Sequence, residues 1–456
     1  MKYDVILIGG GISSLMCAYN IMLESDKTVL ILEQGKNITE RQCPILNKKS
    51  DRCLNCSSCA IMEGMSGAGA FSDGKYNLTT EYGGWLGDFV DNKELNDLMN
   101  ECDKILMKFG APEKVFLPND DLKKLCMQYD LHMLQGKVKH FGTDNNLIIM
   151  NKFIEHLRSK GITILTNTKV IDVDIKTKEV KYTLYGKEHV DIGNNVVFAV
   201  GRVGSSFFKD WCFKNNIGMK NRQVDIGVRV ELPWEIWSHF SEKIYEPKIL
   251  YRSKQYNDVT RMFCFNERGQ VVMENSNGVK TVNGHAYSEE AKKSANSNFA
   301  LLSTINFTDP FNAPIEYAKD IAALSNKISG DSVLVQRYGD LLAGQRTTYQ
   351  RLALSRTKPT LNAVPGDLSL CIPKRQLDNI IETIQVLDKI APGTANYDTL
   401  LYGVECKYYS SRPVMNDFSL NGCSDIYAIG DGAGVTRSLS QAAANGLYIG
   451  RKIGNK

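Results

Sequence analysis

A glycine-punctuated strand and helix at the start of the chain, a second such pair at its end and a buried strand between them predict an α/β fold. The expected core is a discontinuous, Rossmann-like dinucleotide-binding domain, accompanied by a helical insertion and a mixed α+β second domain. Residues 3–8, YDVILI, form a short apolar run, as a buried parallel strand requires. Gly9-Gly10-Gly11-Ile12-Ser13-Ser14 follows, then an amphipathic helix through about Leu23 and a second strand, TVLILE, ending at Glu33. This is the dinucleotide fingerprint in its strand–turn–helix–strand context. Gly9 permits the tight turn. Gly11 lets the backbone approach a pyrophosphate at the helix N-terminus, beside Ile12 and Ser13. Glu33, followed by Gln34, stands where an acidic side chain accepts hydrogen bonds from a ribose. The third glycine of the pattern is replaced by Ser14, a small residue where helix–strand packing matters more than phosphate contact.

The far end repeats this arrangement. DIYAIGDGAG (425–434) reads as a strand running into Gly430-Asp431-Gly432, with a helix from roughly Ser440 to Ile453. VVFAVGRVGSS (196–206) is a buried strand with Ala199 and Gly201 at its end. Ahead of it, ITILTNTKVIDVDI, KEVKYTLYG and EHVDI read as short alternating strands and fit a three-stranded excursion.

Composition bounds the function. The chain has 456 residues, 43% hydrophobic and 23% charged, and can bury large cores without disulfide staples. A net charge of +4 with no dense Lys/Arg block does not call for nucleic acid. The glycine triplet and the Ser, Asn and Glu after it interrupt the apolar N-terminus, so no secretory signal is expected. No uninterrupted apolar run of roughly 18 residues predicts a membrane span. The expected location is cytoplasmic, where thiols stay reduced.

Four of the twelve cysteines, Cys43, Cys53, Cys56 and Cys59, lie within CPILNKKSDRCLNCSSC. C-x2-C-x2-C is a recurrent iron–sulfur spacing, with Cys43 as a distant fourth ligand. Four thiolates also suit Zn2+, although three cysteines in so short a tract crowd a tetrahedron. Cys53–Cys56 or Cys56–Cys59 suits a redox-active disulfide, and four reduced thiols are the remaining reading. Metal or cluster binding is the first expectation. The tract leads into GMSGAGAFSDG, whose glycines permit close approach to a ligand. Ser66, Gly67, Ala68, Gly69 and Ser72 are the expected contacts.

The dinucleotide domain is expected over 1–84, 149–215 and 405–456, a helical insertion over 85–148, and a substrate domain over 216–404. The insertion carries a helix near 93–109, with Leu95, Leu98, Cys102, Ile105 and Leu106 on one face. In the substrate domain, VDIGVRVEL suits a strand, while AKKSANSNFALL and RQLDNIIETIQVLDKI suit helices. No second G-x-G-x-x-G follows a strand there, so NAD(P)H as reductant is left undecided and the electron donor can be another protein or small molecule.

GGGISSL, the cysteine segment, GMSGAGAFSDGKYNLT (64–79), AVGRVGSS, VDIGVRVE (224–231), NSNFALL (296–302), YGVECK (402–407) and IGDGAGVTRSLSQAAANG (429–446) carry a resemblance over most of the chain. They resemble the FAD-dependent dehydrogenases, or NAD(FAD)-utilising oxidoreductases, with a discontinuous glutathione-reductase-type FAD domain. The resemblance implies bound FAD and hydride transfer between an undefined organic substrate and flavin N5. It implies that Gly430 and Asp431 meet the flavin ribityl chain. Backbone N–H groups of Gln441, Ala442 and Ala443 would face the flavin pyrimidine ring, and Val170 falls where such proteins often contact adenine through the backbone. Arg229, Glu231, Glu405, Lys407 and Arg412 lie in or near family-like motifs and are catalytic candidates, with Arg437 and His285 beside them; surface charges or ion pairs are an equal reading for each. RMFCFNERGQVV (261–272) lacks the second cysteine and Pro-Gly pair expected near Phe265–Arg268, so the resemblance assigns Cys264 no role. Two alternatives stand beside the dehydrogenase reading: an iron–sulfur electron-transfer flavoprotein using the four clustered cysteines, and an RNA-modifying flavoprotein. The expected partners are a small-molecule substrate and a redox partner protein.

Overall fold

The structure is a computed structural model that describes every residue except 45, 46, 48, 50–53, 55, 57, 73, 277, 288, 289, 309, 312 and 456. Two compact units emerge: residues 1–116, 136–222 and 409–456, and residues 117–135 and 223–408.

The first unit is built on five parallel strands: β1 (Lys2–Ile8), β2 (Val29–Leu32), β3 (Thr163–Leu165), β4 (Lys187–Phe198) and β5 (Cys423–Ala428). Their order is β5-β4-β1-β2-β3. Val5, Ile6, Leu7, Leu30 and Ile31 are wholly buried, which is why these strands read as continuous apolar runs. The chain builds outward from β1 through β2 and β3, then returns to build the other way through β4 and β5. The order therefore reverses between β1 and β4, and α/β sheets bind ligands beyond the strand ends at such a switch point. β4 begins in the expected excursion, pairing antiparallel with Glu179–Leu184, which pairs in turn with Thr168–Val173.

Helix α1 (Ile12–Glu24) follows β1, α2 (Asn92–Met107) follows the glycine-rich bend, and α3 (Leu439–Gly454) closes the chain. The predicted stripe of α2 is buried. α3 packs on α1 so closely that a Cβ at Gly446 would stand 2.0 Å from the Ser13 carbonyl oxygen. Only glycine fits there, and the contact fixes the start of α1 relative to the last helix.

The second unit is an eight-stranded sheet. Its centre is Leu400–Tyr408, Val224–Pro233, Asn296–Ile305 and Val259–Asn266, in that order and antiparallel throughout. Helix Lys374–Leu387 buries Leu377, Ile380, Ile384 and Leu387, as its spacing predicts.

Two expectations are corrected. NSNFALL is not helical: Asn296–Ile305 is a central strand, and its first eight residues are buried. An Ala/Leu-rich segment tolerates either state, and ladders on both sides decide it here. The region 85–148 is not one insertion. α2 belongs to the first unit, whereas residues 117–135 belong to the second. There Leu131 and Met133 are buried while His132 is exposed, and Leu131–Met133 pairs with Ile249–Arg252 at the sheet edge.

Candidate active site

Gly9 leaves β1 with φ +103°, and a Cβ there would stand 2.4 Å from the Ala199 carbonyl oxygen at the end of β4. The fingerprint turn is thus wedged into the switch point. Gly11 precedes α1, and a Cβ on it would meet nothing within 4 Å. No side chain caps α1, so its N-terminus keeps the donors and the dipole that suit an anion. Ile12, Ser13 and Ser14 are buried, and the Ser14 hydroxyl has no hydrogen-bond partner.

The glycine-rich bend lies against this turn. Ser66 (φ +71°) donates its N–H to the Gly10 carbonyl at 2.8 Å, and a Cβ on Gly67 would come within 3.4 Å of the Gly11 Cα. Ala68 and Gly69 open a short 3-10 turn, whose carbonyls at Gly69 and Ala70 accept from Asn146 at 2.8 and 3.1 Å; Ser72 donates its hydroxyl to Gly69 at 2.7 Å.

Two buried charges of opposite sign hold this assembly. The Glu33 carboxylate accepts N–H groups from Gly10 at 2.6 Å, Gly35 at 2.8 Å and Gly64 at 3.0 Å. Oε1 takes two of these bonds, so Oε2 has room for one further donor. Glu33 therefore ties three glycine turns together before it meets any ribose. Arg41, only 4% exposed, does the converse. It donates to the carbonyls of Ala60 at 2.9 Å and of Ile61, Met65 and Gly67, each at 2.8 Å. Burial lowers its pKa to about 10 against the pull of Glu33, Cys59 and Glu63, so it stays charged at neutral pH. Sequence reasoning missed Arg41, because a lone Arg after a strand carries no pattern.

The turn at the end of β5 lies beside the same site. Gly430 (φ +75°) donates its N–H to Asn445 at 2.8 Å, and a Cβ on it would approach the Ser13 hydroxyl to 2.8 Å. A Cβ on Gly432 would stand 2.6 Å from the Gly201 carbonyl oxygen, so the turns after β4 and β5 touch. Asp431 accepts from the Thr436 hydroxyl at 2.6 Å and lies 3.9 Å from Arg202. Burial raises its pKa, with Arg202, Thr436 and Arg437 pulling the other way. Val170 is buried in the excursion, paired with Tyr182, and Gln34 is half-buried.

The amides expected at Gln441–Ala443 already have partners within the helix start. α3 begins at Leu439; Ser438 caps the Gln441 N–H at 3.2 Å, and the Ala442 N–H bonds the Ser438 carbonyl at 2.9 Å. Ala443 lies further inside the helix, with its N–H within the helical ladder. The amides of Leu439 and Ser440 precede these spent donors, where the helix leaves N–H groups over.

In the second unit Arg229 is wholly buried and donates bidentately to Glu405, both bonds 2.9 Å. It also donates to Asn283 at 2.9 Å and to the Cys264 carbonyl at 3.0 Å. Burial opposes the Arg229 charge, but Glu405 outweighs it and holds the group above the usual arginine value. Lys407 lies 3.3 Å from Glu405; burial pulls it down, yet Glu405 and Glu274 hold it above the ordinary lysine value. Glu405 is thereby occupied on both oxygens, which argues against a free general base. Glu231 is buried and accepts from Thr360 and Tyr402; burial raises its pKa. His285 ends a hairpin strand and is exposed. Arg412 and Arg437 lie in the first unit, close to Trp85.

Cys43, Cys56 and Cys59 are free thiols, and Cys53 lies outside the described residues. Among the described residues no group of three His, Cys, Asp or Glu side chains converges as a metal site, and no helix is long and apolar enough to cross a membrane.

Residues 223–408 match the family model described as FAD-dependent protein, C-terminal domain-like. The whole chain overlays 97% of a 3-ketosteroid-Δ4-(5α)-dehydrogenase from Rhodococcus jostii at 11% identity and TM-score 0.45. It overlays 95% of an L-α-glycerophosphate oxidase from Mycoplasma pneumoniae at 9% identity and TM-score 0.41. It overlays 95% of a glycine oxidase from Geobacillus kaustophilus at 11% identity and TM-score 0.39. These three likenesses are too distant to carry substrate or mechanism. No curated protein matches the sequence. The switch-point turn and the uncapped α1 suit the pyrophosphate of a dinucleotide. The match to the FAD-dependent family model covers residues 223–408, less than half of the chain.

Proposed function

We propose that this chain is an FAD-dependent oxidoreductase that transfers a hydride between a small organic substrate and FAD held by the first unit. The observation that carries this reading is the anion-ready start of α1, left open at Gly11 and walled by the Ser66–Gly67 bend. Those residues suit the pyrophosphate: small, with backbone donors and a helix dipole at hand. The free acceptor site on Glu33 suits one ribose hydroxyl, and Asp431 suits the ribityl hydroxyls, which would replace solvent around a carboxylate that burial disfavours. Leu439 and Ser440 amides, at the positive end of α3, suit the electron-rich edge of the flavin pyrimidine. When bound, FAD supplies an acceptor or donor for a hydride; the chain supplies orientation, electrostatics and exclusion of water.

Lys407 is held in its charged form by Glu405 and Glu274. Glu405 serves Arg229 and Lys407, so its contribution is positioning.

The test is FAD content and reducibility of the purified full-length protein. The expected result is a flavin spectrum, stoichiometric FAD released on denaturation, and bleaching under anaerobic photoreduction. A protein that neither retains FAD nor takes it up would overturn the reading.

A further inference from the structure

Trp85 is surrounded by arginines. The guanidinium carbons of Arg222, Arg437 and Arg412 lie 4.3, 4.6 and 6.0 Å from its ring, and Arg437 also lies 4.6 Å from the ring of Tyr409. Asp88 is 2.7 Å from Arg412 and 3.6 Å from Arg222, and Asp431 attracts Arg437 through space. Three guanidiniums thus gather around one ring, a density of positive charge that favours an anion.

The hydrogen-bonding state of the guanidiniums points the same way. Stacking on an aromatic face uses the flat side of a guanidinium and leaves its N–H edges for an acceptor. Nε of Arg222, Nη2 of Arg412 and Nε of Arg437 are buried without a hydrogen-bond acceptor, and Nη2 of Arg222 has only the 3.6 Å ion pair with Asp88. Arg412 is itself only 9% exposed, anchored by Asp88 and by the Gly434 carbonyl at 3.2 Å, with Nη2 left over. Burial lowers its pKa, the response of a cation short of counter-charge. A buried guanidinium edge lacking an acceptor favours a planar or tetrahedral oxyanion as its partner.

The cluster is also placed beside the proposed ring end of the cofactor site. The Trp85 backbone N–H donates to the Val435 carbonyl at 2.7 Å, the Arg437 backbone N–H donates to the Gly83 carbonyl at 2.7 Å, and α3 begins two residues after Arg437. Asp431 accepts from the Thr436 hydroxyl in the same stretch.

We propose that Arg222, Arg412 and Arg437 around Trp85 bind the oxyanion head of the substrate, a carboxylate or phosphate monoester. The substrate class is then a small organic acid or phosphoester whose oxidisable carbon lies a few bonds from its charged group. This inference rests on the hydride-transfer reading above.

The test titrates the FAD-loaded full chain at low ionic strength with succinate in one arm and inorganic phosphate in the other, by calorimetry and by the visible flavin spectrum. The expected result is saturable binding of at least one probe that perturbs the flavin spectrum. Arg222→Met and Arg437→Met should each weaken that binding about tenfold or more, as loss of a charge-assisted hydrogen bond predicts. Lys214→Gln, which removes an exposed charge elsewhere in the same unit, should leave it unchanged. Preference between the arms assigns carboxylate or phosphate. No saturable binding in either arm, or equal weakening by Lys214→Gln, overturns the proposal. Loss of FAD from both arginine variants, with probe affinity intact, also overturns it and assigns the cluster to the cofactor. If the wild-type protein takes up no FAD, the hydride-transfer reading fails by itself, and the calorimetric arm still decides whether the arginines bind an oxyanion.

Discussion

In the first unit Glu33 and Arg41 direct their charge at the main chain, three amides for the carboxylate and four carbonyls for the guanidinium. In the second, buried charges pair with each other: Arg229 with Glu405, and Arg337 with Asp340. The two uses do different work. A charge bonded to backbone groups holds a loop in a shape that no helix or ladder would impose, which is what a glycine bend beside a ligand needs. A charge bonded to another charge locks two strands or turns together and leaves no vacancy. The Trp85 cluster adds a third arrangement, guanidiniums gathered on an aromatic ring with N–H groups that have no acceptor.

The largest effect is expected where a pair is broken. Arg229→Met leaves Glu405 buried with Lys407 alone and should cost about 3–5 kcal/mol, read as a lower urea midpoint. Replacing both partners, Arg229→Met with Glu405→Leu, should recover most of that loss, because the stranded charge is gone. A double variant as unstable as the single one would show that the Cys264 and Asn283 contacts, not the charge pair, matter most.

Next comes the clasp on the bend. Arg41→Lys keeps the charge but has three donors on one nitrogen, so at least one of four separated carbonyls goes unpaired. The expected cost is about 1–3 kcal/mol. FAD content should fall in parallel, since the bend would loosen against Gly11. An unchanged melting temperature together with full FAD content would remove Arg41 from the site.

The smallest effect is a pH dependence. In the second unit Arg375 holds Asp258 below its usual pKa. Burial works against Asp340, yet Arg337, Thr347 and Tyr397 outweigh it, and Lys374 and Tyr256 do the same for Asp378. A lowered carboxyl stabilises the fold above the unfolded value of 3.8 and loses that contribution as pH falls through the folded pKa. The urea midpoint of the full chain should therefore fall as pH drops through about 4 and below, and Asp340→Asn should flatten part of that fall. A fall equally steep in the variant would remove Asp340 from the account.

Much of the first unit was legible because its signals are local. Gly9, Gly11 and Glu33 follow a strand at short range, and Gly430-Asp431 repeats the pattern, so turn chemistry announces itself within a few residues. α2 and Lys374–Leu387 were legible from periodicity alone. NSNFALL was not, since its neighbours in the ladder come from Val224–Pro233 and Val259–Asn266, far along the chain. The start of α3 at Leu439 was not legible either, because the cap is Ser438, one of three serines and threonines in TRSLS that a sequence cannot rank.

By itself the amino-acid order determined the class of fold and the glycine turn after β1, because both depend on glycine, β-branched residues and charge within one strand–turn–helix span. Tertiary structure alone decided what Arg41, Arg229 and the Trp85 arginines do. Their partners lie at 19–26 residues for Arg41 and at 176 for Arg229. The energy of a buried charge depends on which distant groups surround it, and a linear sequence does not contain that information.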